Sequence, residues 1–376
     1  MTRLDDLPLR DDLKGLTPYG APQLDVPVPL NTNENPYATP PGLIADLQRA
    51  IGEIATGLNR YPDREARDLR ADLAGYLSHS TGMGLGVEQV WAANGSNEVL
   101  QQLLQAFGGP GRTAMGFEPT YEMHKLIALT TATRWVAARR RSDFQLDPTT
   151  ASNAVSMHRP DVVFLCSPNN PTGTALDLAT IAAVCDVAPG IVVVDEAYAE
   201  FVRPGVPSAV QLLPHYPKLI VTRTMSKAFA YAGARVGYMA AGPSVIDALR
   251  LVRLPYHLSA ITQVAARVAL AHARDTLATV DLIRTERDRL VSMLRQGGHE
   301  VVPSDANFVL FGRFPDQAAV WQGLLERGVL VRDVGVPSWL RVTAGAPHET
   351  DTFLAALHDV MVTGSQPVPY VPHSPR

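Results

Sequence analysis

Short apolar runs rich in β-branched residues alternate with helical stretches over much of this chain, and this alternation constrains the fold more than any other feature. Three such runs lie at 161–166, 191–194 and 219–221. Runs of this kind are typical of strands buried on both faces of a sheet. Residues 89–92 precede a turn and then a helical pattern at 98–107. The alternation predicts an α/β fold with a mostly parallel sheet, whose ligands bind beyond the carboxyl ends of the strands.

The chain divides into four predicted parts. At 376 residues it exceeds the usual size of a single core, so we expect one large and one smaller domain. Residues 1–40 are rich in proline, which forbids a long helix and predicts an extended arm. A large domain follows over 41–262, with helices on both faces of its sheet. We predict a smaller α+β domain over 263–365 and a flexible, proline-rich tail over 366–376.

Charge and cysteine content argue against several functions. The net charge of −4, with scattered Lys and Arg, gives no field that attracts nucleic acid or anionic lipid. The chain has no apolar run of membrane-spanning length, and its polar, acidic amino-terminal residues do not resemble a secretion signal. Cys166 and Cys185 lack CxxC spacing, and the histidines lack metal-ligand spacing. We therefore expect reduced thiols, no metal site and a cytoplasmic location.

Polar residues cluster where three of the apolar runs end, at 167–173, 195–198 and 222–227. Because parallel strands end at a common edge, these segments bring an acid, an amide, a phenol, hydroxyls and a lysine to one rim. Each is weak evidence alone, since an Asp at a strand end often caps a helix. Their coincidence on consecutive strands predicts an active site.

Seven motifs, in order, resemble those of the class I/II aminotransferases of fold type I, which depend on pyridoxal 5'-phosphate. They are Asn-Thr-Asn-Glu-Asn-Pro at 31–36, Arg-Tyr-Pro-Asp at 60–63, Asn-Gly-Ser-Asn-Glu at 94–98, Ser-Pro-Asn-Asn-Pro-Thr-Gly at 167–173, Asp-Glu-Ala-Tyr at 195–198, Thr-Met-Ser-Lys-Ala-Phe at 224–229 with Gly-Ala-Arg-Val-Gly-Tyr at 233–238, and Leu-Arg-Val-Thr at 340–343. The resemblance covers nearly the whole chain and is greatest to the histidinol-phosphate aminotransferases. It implies amino transfer between glutamate and imidazole-acetol phosphate, giving L-histidinol phosphate and 2-oxoglutarate, in histidine biosynthesis.

The resemblance implies that Lys227 carries the cofactor as a Schiff base and later moves a proton. A buried, partly desolvated lysine suits both tasks. Asp195 would hold the proton on the pyridine nitrogen, which strengthens the cofactor as an electron sink. Tyr198 and Asn170 would donate hydrogen bonds to the phenolic oxygen of the cofactor. Asn170 could instead simply shape the turn before Pro171.

The cofactor phosphate needs several donors and a positive charge. At 95–97, between a strand and a helix, backbone N–H groups would point at it, although helix capping would also explain a serine there. The further predicted cofactor ligands are Gly95, Ser96, Asn97, Tyr121, Thr224, Ser226, Arg235 and Tyr61. Tyr121 resembles the aromatic residue that stacks on the pyridine ring, or is ordinary core. Tyr61 resembles a tyrosine supplied by the other subunit, which predicts a homodimer with shared active sites. Many members have Asp where this chain has Asn97.

Two arginines are candidate substrate ligands, because a guanidinium binds carboxylate or phosphate through two parallel hydrogen bonds. Arg341 resembles the residue that binds the α-carboxylate of glutamate. Arg332, with help from Tyr19, resembles the ligand of the substrate phosphate. Arg332 could instead form a surface pair with Asp333. Asn33, in the arm, is also expected to contact substrate.

Three other functions fit parts of the pattern. An aromatic amino-acid aminotransferase shares the cofactor site and differs mainly in the pocket for the substrate tail. A threonine-phosphate decarboxylase uses the same scaffold and an arginine-bound phosphate. A cofactor-binding sensor domain of a transcription regulator would carry an added helix-turn-helix, which the proline-broken arm cannot form.

Overall fold

The computed structural model describes residues 4–363, so the predicted tail at 366–376 lies outside the described residues. The helices within the described part are Pro41–Ala55 (α1), Arg67–Thr81 (α2), Ser96–Phe107 (α3), Glu122–Thr130 (α4), Pro148–His158 (α5), Leu178–Val187 (α6), Pro243–Val252 (α7), Ala260–Ala271 (α8), Ala273–Gln296 (α9), Gln317–Glu326 (α10) and Pro347–Thr363 (α11). The strands are Val28–Pro29 (β1), Val90–Ala93 (β2), Thr113–Glu118 (β3), Arg134–Arg139 (β4), Val162–Cys166 (β5), Ile191–Asp195 (β6), Leu219–Thr224 (β7), Gly237–Ala241 (β8), Glu300–Val301 (β9), Phe308–Gly312 (β10), Val329–Leu330 (β11), Arg332–Asp333 (β12) and Trp339–Thr343 (β13).

A seven-stranded sheet forms the centre of the molecule, in the order β2-β8-β7-β6-β5-β3-β4. Strands β3 to β7 are parallel, and β8 runs antiparallel to both of its neighbours. The predicted α/β fold with a mostly parallel sheet is confirmed. The carboxyl ends of β5, β6 and β7 therefore lie side by side at one edge of the sheet.

Both faces of this sheet are covered, which explains the apolar runs in the sequence. On one face, Val162 and Phe164 pack in a cluster with side chains of α3, α4 and α7. On the other, Val163 and Leu165 pack with side chains of α5 and α6. Because successive strand residues point to opposite faces, a strand buried on both sides must be apolar at every position. Full burial of each such side chain contributes about 1.5–3 kcal/mol.

A second, four-stranded sheet in the order β12-β13-β10-β9 is antiparallel and packs against α9, α10 and α11. The arm joins this part of the molecule, because β1 pairs with β11 through Val28 and Val329. We propose that residues 41–262 and 263–365 form the two domains. Helix α8 spans the boundary between them.

None of the helices within residues 4–363 combines the length and apolar character needed to cross a membrane. Cys166 and Cys185 are both free, the first buried and the second partly buried.

Candidate active site

The polar segments that follow β5, β6 and β7 meet at one rim of the large sheet. The strand register places Cys166 opposite Asp195, and Asp195 opposite Thr222. Beyond this edge lies a cavity of about 550 Å³. Its polar lining is Thr32, Glu34, Ser96, Asn97, Tyr121, Cys166, Asp195, Tyr198, Thr224, Ser226, Lys227 and Arg235. We call this cavity the first lobe.

Asp195 is buried at the wall of the first lobe, 1% exposed. Its Oδ2 lies 3.0 Å from Nε2 of His124, and its Oδ1 accepts a hydrogen bond from the backbone N–H of Ala197 at 3.2 Å. His124 is fully buried and stacks on Phe164, with ring centroids 4.7 Å apart. Within residues 4–363, these two partners of the carboxylate include neither a lysine nor an arginine. This suits it to face a cationic group in the cavity.

His124 lies outside the seven motifs and has no metal-ligand spacing, so the sequence did not predict it as a site residue. Its position carried a usable signal. It follows Tyr121 by three residues, and α4 begins directly after that tyrosine. One helical turn therefore places the imidazole beside the residues at the rim.

Lys227 extends into the first lobe and donates a hydrogen bond from Nζ to the backbone carbonyl of Thr32 at 2.9 Å. Burial lowers the pKa of Lys227 to about 8, with further lowering by Arg341 and Arg235 and an opposing effect of Glu34. A lysine of this kind is partly neutral near physiological pH. Its amine can therefore act both as a nucleophile and as a proton carrier.

A cup of donors closes one end of the first lobe. Helix α3 begins at Ser96, directly after Gly95, so its first backbone N–H groups lack intrahelical acceptors. A Cβ on Gly95 would lie 2.6 Å from Nη2 of Arg235, and the φ of Gly95 is +84°. Arg235 donates to Ser226 Oγ at 3.4 Å, and Thr224 Oγ1 donates to Ser226 Oγ at 3.0 Å. A helix N-terminus, hydroxyls and a guanidinium together form a site for a dianionic phosphate.

The hydroxyl of Tyr198 lies at the centre of a buried network. It accepts hydrogen bonds from Nδ2 of Asn33 at 3.0 Å and from Nδ2 of Asn170 at 3.3 Å. Asn33 is itself fixed by Thr343, whose Oγ1 donates to Asn33 Oδ1 at 3.1 Å. Burial raises the pKa of Tyr198 to about 12, although Arg341 and Asn33 act in the opposite direction. The phenol therefore keeps its proton and can donate a hydrogen bond to an oxygen in the cavity.

A second cavity of about 530 Å³ adjoins the first, and we call it the second lobe. The two share Ala21, Thr32, Tyr121, Tyr198 and Lys227 in their linings. The other predicted site residues that line the second lobe are Tyr19, Asn33, Asn170, Arg332 and Arg341. The two lobes therefore form one cleft with the lysine at their junction.

Arg341 is buried in the second lobe, where it is 6% exposed. Its Nη1 donates to Asn170 Oδ1 and its Nη2 to the backbone carbonyl of Asn31, both at 2.7 Å. Nε is buried and has no hydrogen-bond partner within residues 4–363. Burial lowers the pKa of Arg341 to about 10, which still leaves it charged at neutral pH. A buried cation held by neutral oxygens is prepared to receive an anion.

Arg332 lies nearer the mouth of the second lobe. Its Nη1 donates to the backbone carbonyl of Gly20 at 3.1 Å, and its guanidinium lies 5.8 Å from the ring centroid of Tyr19. Asp333, the alternative partner, instead accepts hydrogen bonds from Gln317 and from the backbone N–H of Gly335. The arm thus orients Arg332 through its backbone and an aromatic ring.

Tyr61 lines neither lobe and stands apart from the other predicted residues. It is 80% exposed and stacks on Tyr256, with ring centroids 4.4 Å apart. Tyr121, by contrast, lines both lobes and donates from its hydroxyl to Asn97 Oδ1 at 3.3 Å.

Comparisons with known proteins identify relatives over almost the full chain. Residues 26–359 match the family described as aminotransferase class I and II. A histidinol-phosphate aminotransferase of Frankia casuarinae is 63% identical over 96% of this chain and 92% of its own length. One of Thermobifida fusca is 62% identical over 94% and 95%. A solved histidinol-phosphate aminotransferase of Sinorhizobium meliloti, in complex with pyridoxal-5'-phosphate, has a TM-score of 0.81 at 25% identity and covers 90% of this chain and 92% of that one.

Proposed function

The chain belongs to the class I and II aminotransferases, and we propose that it transfers the amino group of glutamate to imidazole-acetol phosphate, giving L-histidinol phosphate and 2-oxoglutarate. This would be a step in histidine biosynthesis. The proposal is supported by the two relatives of that name, each more than 60% identical over nearly all of both chains. It is also supported by the arrangement of charges in the cleft.

The first lobe fits pyridoxal 5'-phosphate at each polar end of that molecule. The buried carboxylate of Asp195 suits a protonated ring nitrogen, and the cup of Ser96, Ser226 and Arg235 suits the phosphate. The partly neutral amine of Lys227 suits the aldehyde. When bound, the cofactor supplies an electron sink for amino transfer.

The chain's own residues provide the remaining chemistry. Lys227 accepts or releases a proton at Nζ, because its pKa of about 8 lies close to physiological pH. Tyr198 donates a hydrogen bond from its phenolic hydroxyl, and Asn170 and Asn33 fix the direction of that hydroxyl. Asp195 supplies a fixed negative charge whose orientation is set by His124.

The observation that carries the substrate proposal is that two arginines line the same lobe, which opens onto Lys227. Glutamate presents two carboxylates, whereas histidinol phosphate presents a phosphate ester and no α-carboxylate. Arg341, which is deeply buried, suits the carboxylate next to the reacting carbon, and Arg332, nearer the mouth, suits the distal phosphate. Such a site accepts both substrates in turn.

The test compares amino donors at equal enzyme concentration. The protein is saturated with pyridoxal 5'-phosphate, and transfer to 2-oxoglutarate is measured with L-histidinol phosphate and with L-phenylalanine. We expect kcat/KM to be at least about 100-fold higher with L-histidinol phosphate, since two arginine–phosphate hydrogen bonds of about 1.5–3 kcal/mol each are enough for a ratio of that size. A preference for phenylalanine would instead identify an aromatic amino-acid aminotransferase. Carbon dioxide release from threonine phosphate without a keto acid would identify a decarboxylase.

We also propose that the chain forms a homodimer with shared active sites. Tyr61 is exposed beside Tyr256, and Leu251 and Leu254, in the same segment as Tyr256, are 86% and 74% exposed. Exposed apolar side chains of this size support a protein interface there. Light scattering of the purified protein should give twice the chain mass of 40.6 kDa. A cytoplasmic location is a further proposal, supported by the two free cysteines.

A further inference from the structure

A buried ionic cluster of Arg223, Glu196 and Glu200 lies next to the rim, and none of these three residues lines either lobe of the cleft. Arg223 Nη2 is 2.7 Å from Glu196 Oε2, and Arg223 Nη1 is 3.1 Å from Glu200 Oε1. Nη2 also donates to Ser208 Oγ at 3.1 Å. The side chains of the three ionic groups are only 5–7% exposed. We call these four residues the Arg223 clamp.

The clamp joins the two chain segments that carry most of the cofactor site. Glu196 directly follows Asp195, and the turn after it carries Tyr198. Arg223 directly precedes Thr224, which leads to Lys227. Because side chains alternate along a strand, Arg223 points away from the face on which Thr224 lines the first lobe.

Backbone pairing alone does not tie these segments together beyond the rim. The register between β6 and β7 ends with Asp195 opposite Thr222, and the backbone N–H of Glu196 donates to the carbonyl of Thr222 at 2.9 Å. The pair of Glu196 and Arg223 is the next link past that ladder. This ion pair fixes the separation of β6 and β7 next to Asp195 and Thr224, the first residues of the two strands that line the first lobe.

The chemistry of the cluster favours fixed geometry over simple charge pairing. A guanidinium is planar and offers a rigid set of donors, so it can hold two carboxylates and a hydroxyl in defined directions. Burial alone would lower the pKa of Arg223, but Glu196 and Glu200 outweigh that effect and raise its pKa. Arg223 therefore stays charged at all working pH values. A buried ion pair often adds little to the free energy of unfolding. The benefit of this cluster is therefore the fixed position that it gives to Glu196 and Glu200.

We propose that Arg223 is a positioning residue for amino transfer: through Glu196 and Glu200 it holds Asp195 and Lys227 at the separation that the bound cofactor requires. This inference rests on the proposed placement of the cofactor in the first lobe. A lysine at position 223 keeps the charge but cannot reach Glu196, Glu200 and Ser208 together.

The test compares Arg223→Lys with the wild type and with Arg70→Lys as a matched control. Arg70 is equally buried, with its side chain 3% exposed, and donates to the carbonyls of Val90 and Val87, away from the rim. Four quantities are measured: the melting temperature without cofactor, the Kd for pyridoxal 5'-phosphate, the pH midpoint of the absorbance of the bound cofactor, and kcat with KM for glutamate.

For Arg223→Lys we expect a Kd about 10-fold higher, a displaced pH midpoint, and a kcat about 10-fold lower with little change in KM, as for loss of an orienting partner. Arg70→Lys should lower the melting temperature and leave the other three quantities unchanged. The proposal is overturned if Arg223→Lys lowers the melting temperature only.

Glu200→Gln serves as a milder variant if Arg223→Lys does not fold. This substitution keeps the shape of the side chain, and it should displace the pH midpoint in the same direction as Arg223→Lys with a smaller loss of kcat. An unchanged pH midpoint and kcat would overturn the proposed role of Arg223. The two proposals fail in distinguishable ways. If the wild-type protein shows no absorbance change with pyridoxal 5'-phosphate, both the proposed function and the proposed role of Arg223 are overturned. If a variant of the clamp binds the cofactor with unchanged Kd, pH midpoint and kcat, only the proposed role of Arg223 is overturned.

Discussion

Asp195 and His124 form a buried carboxylate–imidazole pair, with 3.0 Å between Oδ2 and Nε2, at the wall of the cleft. The carboxylate comes from the end of β6 and the imidazole from α4, 71 residues apart in the sequence. This pair fixes the negative charge that the proposed cofactor faces.

Replacing His124 by phenylalanine should weaken cofactor binding. The ring would still stack on Phe164, but Asp195 would lose the hydrogen bond. A hydrogen bond to a charged group contributes about 1.5–3 kcal/mol, so the Kd for pyridoxal 5'-phosphate should rise about 10- to 100-fold. His272→Phe is the control, because His272 forms a similar pair with Asp46 at 2.8 Å, away from the cleft. Equal Kd values for both variants would contradict the assigned role.

Replacing Gly95 by alanine should disrupt the phosphate cup. The new Cβ would lie 2.6 Å from Nη2 of Arg235, at a φ of +84°. We expect the Kd for pyridoxal 5'-phosphate to rise at least about 10-fold, since the guanidinium must move from its place in the cup. Gly82→Ala is the control, because Gly82 also has a positive φ, +74°, but nothing within 4 Å of its Cβ position. It should cost about 1–2 kcal/mol of stability and leave cofactor binding unchanged.

The two arginines of the second lobe should affect the two substrates differently. Arg332→Met should raise KM for L-histidinol phosphate far more than KM for glutamate, whereas Arg341→Met should impair glutamate more severely. We expect the ratio of the two kcat/KM values to change by at least about 10-fold in opposite directions. Steady-state kinetics with both donors measures this ratio. Equal losses of kcat/KM for the two donors in both variants would show that the two arginines do not bind different groups of the substrates.

The lowered pKa of Lys227 predicts a pH-dependent stability of the protein without cofactor. The folded state releases this proton near pH 8 and the unfolded state near 10.5. Between these values the unfolded state binds more protons, so the contribution of Lys227 to folding becomes more favourable as pH rises. Urea unfolding of wild type and Lys227→Met at pH 7.5 and pH 10 measures this. We expect Lys227→Met to be the more stable at pH 7.5, with the gap narrowing by pH 10; a constant gap would argue against a buried, depressed lysine.

The sequence predicted the sheet and the rim because their determinants are local. Runs such as Ile191 to Val194 are apolar at every position, and the carboxyl ends of parallel strands must meet, so Asp195 and Lys227 could be placed on one edge. The partners of these residues could not be predicted in the same way. Lys227 donates to the backbone carbonyl of Thr32, and Arg341 to that of Asn31, and a carbonyl has no sequence signature.

Long-range pairs show the same limit. The contact of His124 with Asp195 depends on how α4 packs against the sheet, which no local pattern fixes. The Arg223 clamp depends equally on tertiary packing, although Glu196 and Arg223 flank residues that were predicted. Tyr61 was predicted as a cofactor ligand, yet in a single chain it lies outside the cleft, so its role depends on the proposed dimer.

Lys227 is proposed to form the covalent bond to the cofactor, and the small number of lysines makes this bond directly testable. The chain has only Lys14, Lys125, Lys218 and Lys227. The protein is incubated with pyridoxal 5'-phosphate, reduced with borohydride and digested, and the modified peptide is identified by mass spectrometry. We predict stoichiometric labelling of Lys227, and labelling at another lysine or at none would show that Lys227 does not carry the cofactor.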